Sequence, residues 1–147
     1  MEKNKSSFSL AAANYDTIFT HSEIGKRQRA RVYYWLSEIG FYKTSKKVFE
    51  VNCGTGYDAE QFIQSGHEVI ATDASDEMIQ IAKRKRNKSI QFFQLAFQDL
   101  TTREEFAAAN FLFSNFGGLN CLSLNELEIF SKAVANKQSK GGQLAWV

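Results

Sequence analysis

Short apolar runs alternate with longer stretches of helical periodicity along most of this chain. Val48-Phe49-Glu50-Val51, Val69-Ile70-Ala71, Phe92-Phe93, Phe111-Leu112-Phe113 and Leu144-Ala145-Trp146-Val147 are too short for helices and too apolar for loops. They predict buried strands at about 46–51, 67–72, 90–95, 110–115 and 143–147. Between them the spacing predicts helices. The first runs over 23–39, capped by Ser22 or Thr20 and ended by Gly40. Ile24, Val32, Leu36 and Ile39 share one of its sides, and Lys26, Arg27, Arg29 and Arg31 take the others. A second helix spans 58–65 and ends at Gly66. A third is capped by Ser75, turns Met78, Ile79 and Ala82 inward, and carries Lys83-Arg84-Lys85-Arg86 in its last turn, where cations suit the helix dipole. A short helix at 104–108 and a longer one at 124–136 precede the Lys140-Gly141-Gly142 turn. Strands alternating with helices predict an α/β fold, a doubly wound, mostly parallel sheet covered on both faces. The organisation is a single domain over 1–147, with an N-terminal helical segment (1–45) and a core (46–147). Residues 1–13, polar and then Ala-rich, read as a mobile chain end.

The first strand leads into Asn52-Cys53-Gly54-Thr55-Gly56, where glycines let a backbone approach a ligand closely. The second apolar run ends on Asp73, seventeen residues beyond Gly56. Two strands ending in carboxylates, with a glycine loop between, describe a nucleoside-binding crevice. Gly54-x-Gly56-x-x-Ala59 also satisfies the dinucleotide fingerprint, with Asp73 near the position of its ribose-binding acid. Charge separates the two readings. Glu50 and Asp58 flank the loop, so a pyrophosphate would meet carboxylates on both sides. S-adenosylmethionine has no phosphate, and its sulfonium and ammonium suit acidic surroundings. Asp58 also fits the first turn of a helix without any ligand.

Val48-Phe49-Glu50-Val51-Asn52-Cys53-Gly54-Thr55-Gly56 resembles the first motif of the class I, Rossmann-like S-adenosylmethionine-dependent methyltransferases. Asn52 stands where the first glycine of that motif usually sits, and Asn tolerates left-handed backbone geometry better than most residues. Ala71-Thr72-Asp73-Ala74-Ser75-Asp76-Glu77-Met78 resembles the next motif, in which the acid holds the ribose and the Met packs near the adenine. The resemblance extends from about Tyr15 to Val147. It implies S-adenosyl-L-methionine as cofactor, bound by Glu50, Asn52, Cys53, Gly54, Thr55, Gly56, Asp73, Ala74 and Met78. It also places Ala96, Phe97 and Gln98 at the adenine, and Ser114 and Asn115 beside the methionine moiety. Ala96 departs from the acid usual there, leaving Phe97 to stack and Gln98 or Asp99 to replace the missing contact. Tyr15, with Asp16 and Phe19, resembles a lid segment, and Arg29 the Arg that accompanies it. Tyr15 and Phe19 equally suit packing of the first helix.

Composition trims the alternatives. The chain has 147 residues, 44% of them hydrophobic, and a formal charge of +2, too small to argue for nucleic acid. Cys53 and Cys121 form neither a disulfide framework nor a metal cluster. No apolar run approaches the ~20 residues of a membrane span, and the N-terminus lacks a signal-peptide core, so the expected setting is the cytoplasm. Proline is absent, and Ser114-Asn115-Phe116 lacks the prolines of the motif carried by amino-methylating DNA enzymes. His21 and His67 read as structural or solvated, and the Lys83–Arg86 run as a solvated helix end.

The implied reaction is methyl transfer from the sulfonium to a small-molecule acceptor, with position and orientation the main contribution. No Ser/His/Asp or Cys/His constellation is evident, and no general base is nominated. The rival readings are a binding module without catalysis and an NAD-dependent oxidoreductase domain. Members of the family continue beyond the Gly-Gly turn through further helices and strands. The chain is therefore expected to be a fragment ending inside its fifth strand, weakly active and able to self-associate through the exposed sheet edge.

Overall fold

The computed structural model describes residues 12–138 and 140–147. Most of the stretch read as a mobile chain end therefore lies outside the described residues. Ala12–Asn14 form a single 3-10 turn, and Asp16–Thr20 a π-type turn. They lead to α1 (Glu23–Glu38), whose N-terminal N–H of Gly25 donates to the Ser22 hydroxyl. Then follow β1 (Lys47–Val51), α2 (Tyr57–Gln64), β2 (Glu68–Asp73), α3 (Asp76–Lys85) and β3 (Gln91–Gln94). The second half comprises α4 (Glu104–Ala108), β4 (Phe111–Ser114), α5 (Leu124–Lys137) and β5 (Gln143–Trp146).

The five strands form one sheet in the order β3-β2-β1-β4-β5, and every neighbouring pair is parallel. Strand β1 is central, with Glu50 opposite Ala71 on one side and Phe113 on the other. The chain winds outward from β1 to β3, then crosses back to β4. That reversal opens a crevice at the carboxyl ends of β1 and β4, the place where open α/β sheets receive ligands.

Alternating side chains of β1 build the two halves of the core. Val48 joins Val32, Leu36, Phe62, Ala82 and Phe111 on the face covered by α1, α2 and α3. Phe49 joins Leu100, Phe106, Leu112 and Phe130 on the face covered by α4 and α5. His67 is buried against Phe41, 4.3 Å between ring centroids, and its Nδ1 accepts the Lys46 N–H, a structural use. At the outer edge, Leu144, Trp146 and Val147 are exposed. Among the described residues no helix is long and apolar enough to cross a membrane.

The inner face of α1 differs from expectation. Val32 and Leu36 are buried, but Ile24 and Ile39 are 69% and 53% exposed, and Gly25 and Arg29 take the inner positions. A β-carbon on Gly25 would stand 2.1 Å from the Phe19 carbonyl oxygen, so the N-terminal turn packs where a side chain would be. Arg29 faces inward because a buried carboxylate awaits it.

Candidate functional site

The loop after β1 owes its shape to left-handed residues. Asn52, Gly54 and Gly56 have φ of 50°, 55° and 73°, a region that glycine and asparagine adopt most readily. The Cys53 N–H donates to the Thr72 carbonyl at 2.9 Å, carrying the β1–β2 pairing past the end of β1. Asn52 donates from Nδ2 to the Asn115 carbonyl at 2.9 Å and accepts from the Ser114 hydroxyl at 2.6 Å. It thereby laces the end of β1 to the end of β4. Among the described residues, a β-carbon on Gly54 would find only Tyr15 within reach, at 3.8 Å, whereas one on Gly56 would strike Phe92 at 2.8 Å. Gly54 borders open space and Gly56 serves packing.

That space is a crevice of about 310 Å³. Its floor is the loop from Glu50 to Thr55, and Asp73, Ala74 and Met78 form one flank. Leu95, Phe97 and Leu100 supply an apolar wall, and Asn115, Phe116, Gly117, Gly118 and Cys121 close the other side. Tyr15 and Arg29 reach in from the N-terminal segment.

Asp73 uses both oxygens at once. Gly54 N–H donates to Oδ2 at 2.8 Å and Ser75 N–H to Oδ1 at 2.9 Å. Each oxygen keeps a lone pair in hand, since a carboxylate has about four acceptor positions. Burial pushes the Asp73 carboxyl above its ordinary value, against the pull of those two N–H groups.

Glu50 is 2% exposed, and its Oε2 has no hydrogen-bond partner among the described residues. Burial first, and the nearby Asp58 charge second, hold its carboxyl well above the usual range. Arg29, also buried, donates from Nε to Asp58 Oδ1 at 3.0 Å while its Nη1 has no partner among the described residues. Its guanidinium lies 4.6 Å from the Phe116 ring and 4.7 Å from Tyr57, contacts that favour a cation. Asp58 also accepts from the Tyr33 hydroxyl and from Asn115 Nδ2. A buried acceptor and a buried donor without partners among the described residues thus belong to two residues that line one cavity.

Behind the loop stands a clasp that sequence reading missed. Asp16 accepts from the Thr55 hydroxyl at 2.5 Å, from Lys85 Nζ at 2.8 Å and from Arg86 Nη2 at 3.3 Å. Arg86 Nε also donates to the Thr55 carbonyl at 2.9 Å. Burial works to raise the Asp16 carboxyl, but Lys85 and Thr55 outweigh it and hold the group below its ordinary value. The end of the basic run is thus not a solvated helix terminus. The sequence signal was a single acid, Asp16, between the aromatic Tyr15 and Phe19.

The sequence-predicted set divides. Tyr15, Arg29, Glu50, Asn52, Cys53, Gly54, Thr55, Asp73, Ala74, Met78, Phe97 and Asn115 line the crevice. Ala96, Gln98, Gly56 and Ser114 do not. Gln98 is exposed and donates to Glu126, which is fixed in the capping box of α5. The Ala96 carbonyl is spent on the Asp99 N–H, closing the turn after β3. Ser114 is buried and committed to Asn52. The apolar wall from Leu95 and Leu100, with Phe116 and Cys121 opposite, was not anticipated as crevice lining.

Residues 48–142 match a family model described as a methyltransferase domain. None of the curated protein sequences compared with the chain matches it significantly. Among solved structures, the chain is similar to the DhpI-SAH complex at 22% identity, covering 96% of its own length and 65% of that chain, with a TM-score of 0.69. The DhpI-SAM-HEP complex gives 20% identity, coverage of 96% and 62%, and a TM-score of 0.70. PH0226 protein from Pyrococcus horikoshii OT3 gives 22%, 90% and 64%, with a TM-score of 0.63. At these identities the likeness is one of fold. The chain spans less than two thirds of the length of each.

Proposed function

Because the chain belongs to the class I S-adenosylmethionine-dependent methyltransferase family, we propose that it binds S-adenosyl-L-methionine in the β1–β4 crevice and passes its methyl group to a small-molecule acceptor. The observation that carries this reading is a pair of buried polar atoms without a partner among the described residues, Glu50 Oε2 and Arg29 Nη1, on two residues that line one cavity. An amino-acid group offers an ammonium to the first and a carboxylate to the second. Asp73 has lone pairs for the ribose hydroxyls, and Met78, Leu95, Phe97 and Leu100 offer an apolar slot for the adenine. The residues present therefore fit the cofactor.

When bound, S-adenosylmethionine supplies a methyl group on a sulfonium, already electrophilic. The chain's task is to hold and orient. Gly54, without a β-carbon, lets the backbone come close, and Tyr15 and Phe116 add aromatic lining. Cys53 is unsuited to act as a nucleophile, because burial, and after it Glu50, push its thiol well above the ordinary value. Positioning is the favoured source of rate acceleration. A small acceptor is supported by the commitment of Lys85 and Arg86 to Asp16, which withdraws them from any phosphate backbone. A reducing, cytoplasmic setting is part of the same proposal, supported by two free thiols.

Titration calorimetry with S-adenosylhomocysteine and with NAD, beside a turnover assay on a panel of small acceptors, tests the reading. Binding of the first nucleoside only, abolished in a folded Gly54→Val variant, is the expected result. A preference for NAD overturns it. Tight nucleoside binding without turnover on any acceptor leaves a binding module in place of an enzyme.

A further inference from the structure

Asp58 lines the crevice, and both of its oxygens already accept from protein groups. Arg29 Nε and Tyr33 come from α1, and Asn115 Nδ2, at 3.1 Å, from the end of β4. The choice of atoms matters. Arg29 spends Nε on Asp58, and its Nη1 has no partner among the described residues, on a side chain whose residue is 6% exposed. A guanidinium bound at one edge of its rigid fork has its remaining donors fixed in direction. Without that contact a buried arginine is an uncompensated charge.

The contacts also close into a circuit. Asn115 donates to Asp58 from Nδ2 while its Oδ1 accepts the Phe116 N–H at 2.9 Å. Phe116 has φ of 56°, a left-handed geometry unusual for an aromatic residue and in need of support. The ring that this turn presents lies 4.6 Å from the Arg29 guanidinium, which returns to Asp58. One carboxylate thus orients the cation directly and the aromatic plate beside it through Asn115.

We infer that Asp58 is the positioning residue for the amino-acid end of the bound nucleoside, holding Arg29 with Nη1 presented to a ligand carboxylate and, through Asn115, holding Phe116 against it. The inference rests on the S-adenosylmethionine reading. It also assigns a specificity: the site selects an adenosine thioether that carries an α-amino acid over one that lacks it.

The test compares two ligands that differ only at that end, S-adenosylhomocysteine and 5′-methylthioadenosine, by calorimetry on the full chain. Asp58→Asn removes the charge and turns an amide donor toward existing donors. It should weaken S-adenosylhomocysteine by about tenfold or more while leaving methylthioadenosine within about twofold. Tyr33→Phe, which keeps the Arg29–Asp58 pair, should show the same selectivity at about threefold, and serves if Asp58→Asn does not fold. Equal losses on both ligands would make Asp58 a structural residue and overturn the inference, as would no loss on either. If the parent chain binds the two ligands equally, the inference falls and the cofactor reading stands. If it binds neither, both fall.

Discussion

A β-carbon placed on Gly118 would lie 2.0 Å from Cγ of Asn52. The side chain that laces β1 to β4 therefore occupies the space that a residue other than glycine would need in the loop after β4. Asn52 replaces the glycine usual in the family's first motif, and Gly118 accommodates it. Gly118→Ala should displace Asn52, break its bonds to Ser114 and Asn115, and destabilise the protein by about 1–3 kcal/mol. Adding Asn52→Gly, which suits the φ of 50° at that position, should recover much of the loss. Denaturant unfolding of the two single variants and the double variant checks this. Simple additivity would show that the two sites do not share the space.

Asp73→Ala should weaken S-adenosylhomocysteine by about tenfold to a hundredfold, the equivalent of one or two charge-assisted hydrogen bonds. It should also lower the unfolding temperature, because Gly54 and Ser75 lose the acceptor of their N–H groups. Calorimetry and thermal unfolding separate the two effects. An Asp73→Ala variant with the parent's affinity would remove the ribose from this flank.

Glu50 gives stability and binding opposite signs. Its native value is raised by burial and then by Asp58, above an ordinary value of 4.5. Between those two values the folded protein keeps a proton that the unfolded chain has lost, so stability falls as pH rises through the window. Glu50→Gln has no such proton. Its unfolding temperature should decline less over the same rise and exceed the parent's on the alkaline side. Its affinity for S-adenosylhomocysteine should nevertheless fall, because an amide donor would face the ligand ammonium. Thermal unfolding at a series of pH values checks the first claim, and parallel curves for parent and variant would refute it.

Lys85 and Arg86 share Asp16 but not its environment. The Lys85 side chain is 48% exposed and makes one contact, so Lys85→Ala should cost about 0.2–1 kcal/mol and less at high salt. Arg86 is 13% exposed and also binds the Thr55 carbonyl, so Arg86→Ala should cost about 2–3 kcal/mol. Urea unfolding at two salt concentrations gives both numbers. Equal, salt-sensitive losses would mean that the clasp is an exposed ion pair.

The strands were legible to within about a residue because buried parallel strands read as short apolar runs; β1, expected from Lys46, begins at Lys47. The crevice floor was legible because a glycine loop between two acid-ended strands has few other uses. Periodicity misled at α1, where Ile24 and Ile39 matched a helical stripe but lie outside. Nothing in the spacing said that Arg29 would find Asp58 across the fold. Lys85 and Arg86 failed for the same reason: a pairing with Asp16 over 69 and 70 positions leaves no local trace. Long-range pairing of charges is what a linear pattern cannot encode.

The separations in the crevice carry one more consequence, for the order in which it comes into being. Gly54 and Asp73, which bond on one flank of the crevice, are 19 positions apart. Asn52 and Asn115, which join the opposite flank, are 63 apart. Long-range parallel pairing carries the greater loop-closure cost and forms slowly. During synthesis β1 and β2 are complete while β4 has yet to be made, so the glycine loop and its aspartate exist before the wall that receives Asn115 and Phe116. The two flanks of the crevice are therefore made at different times.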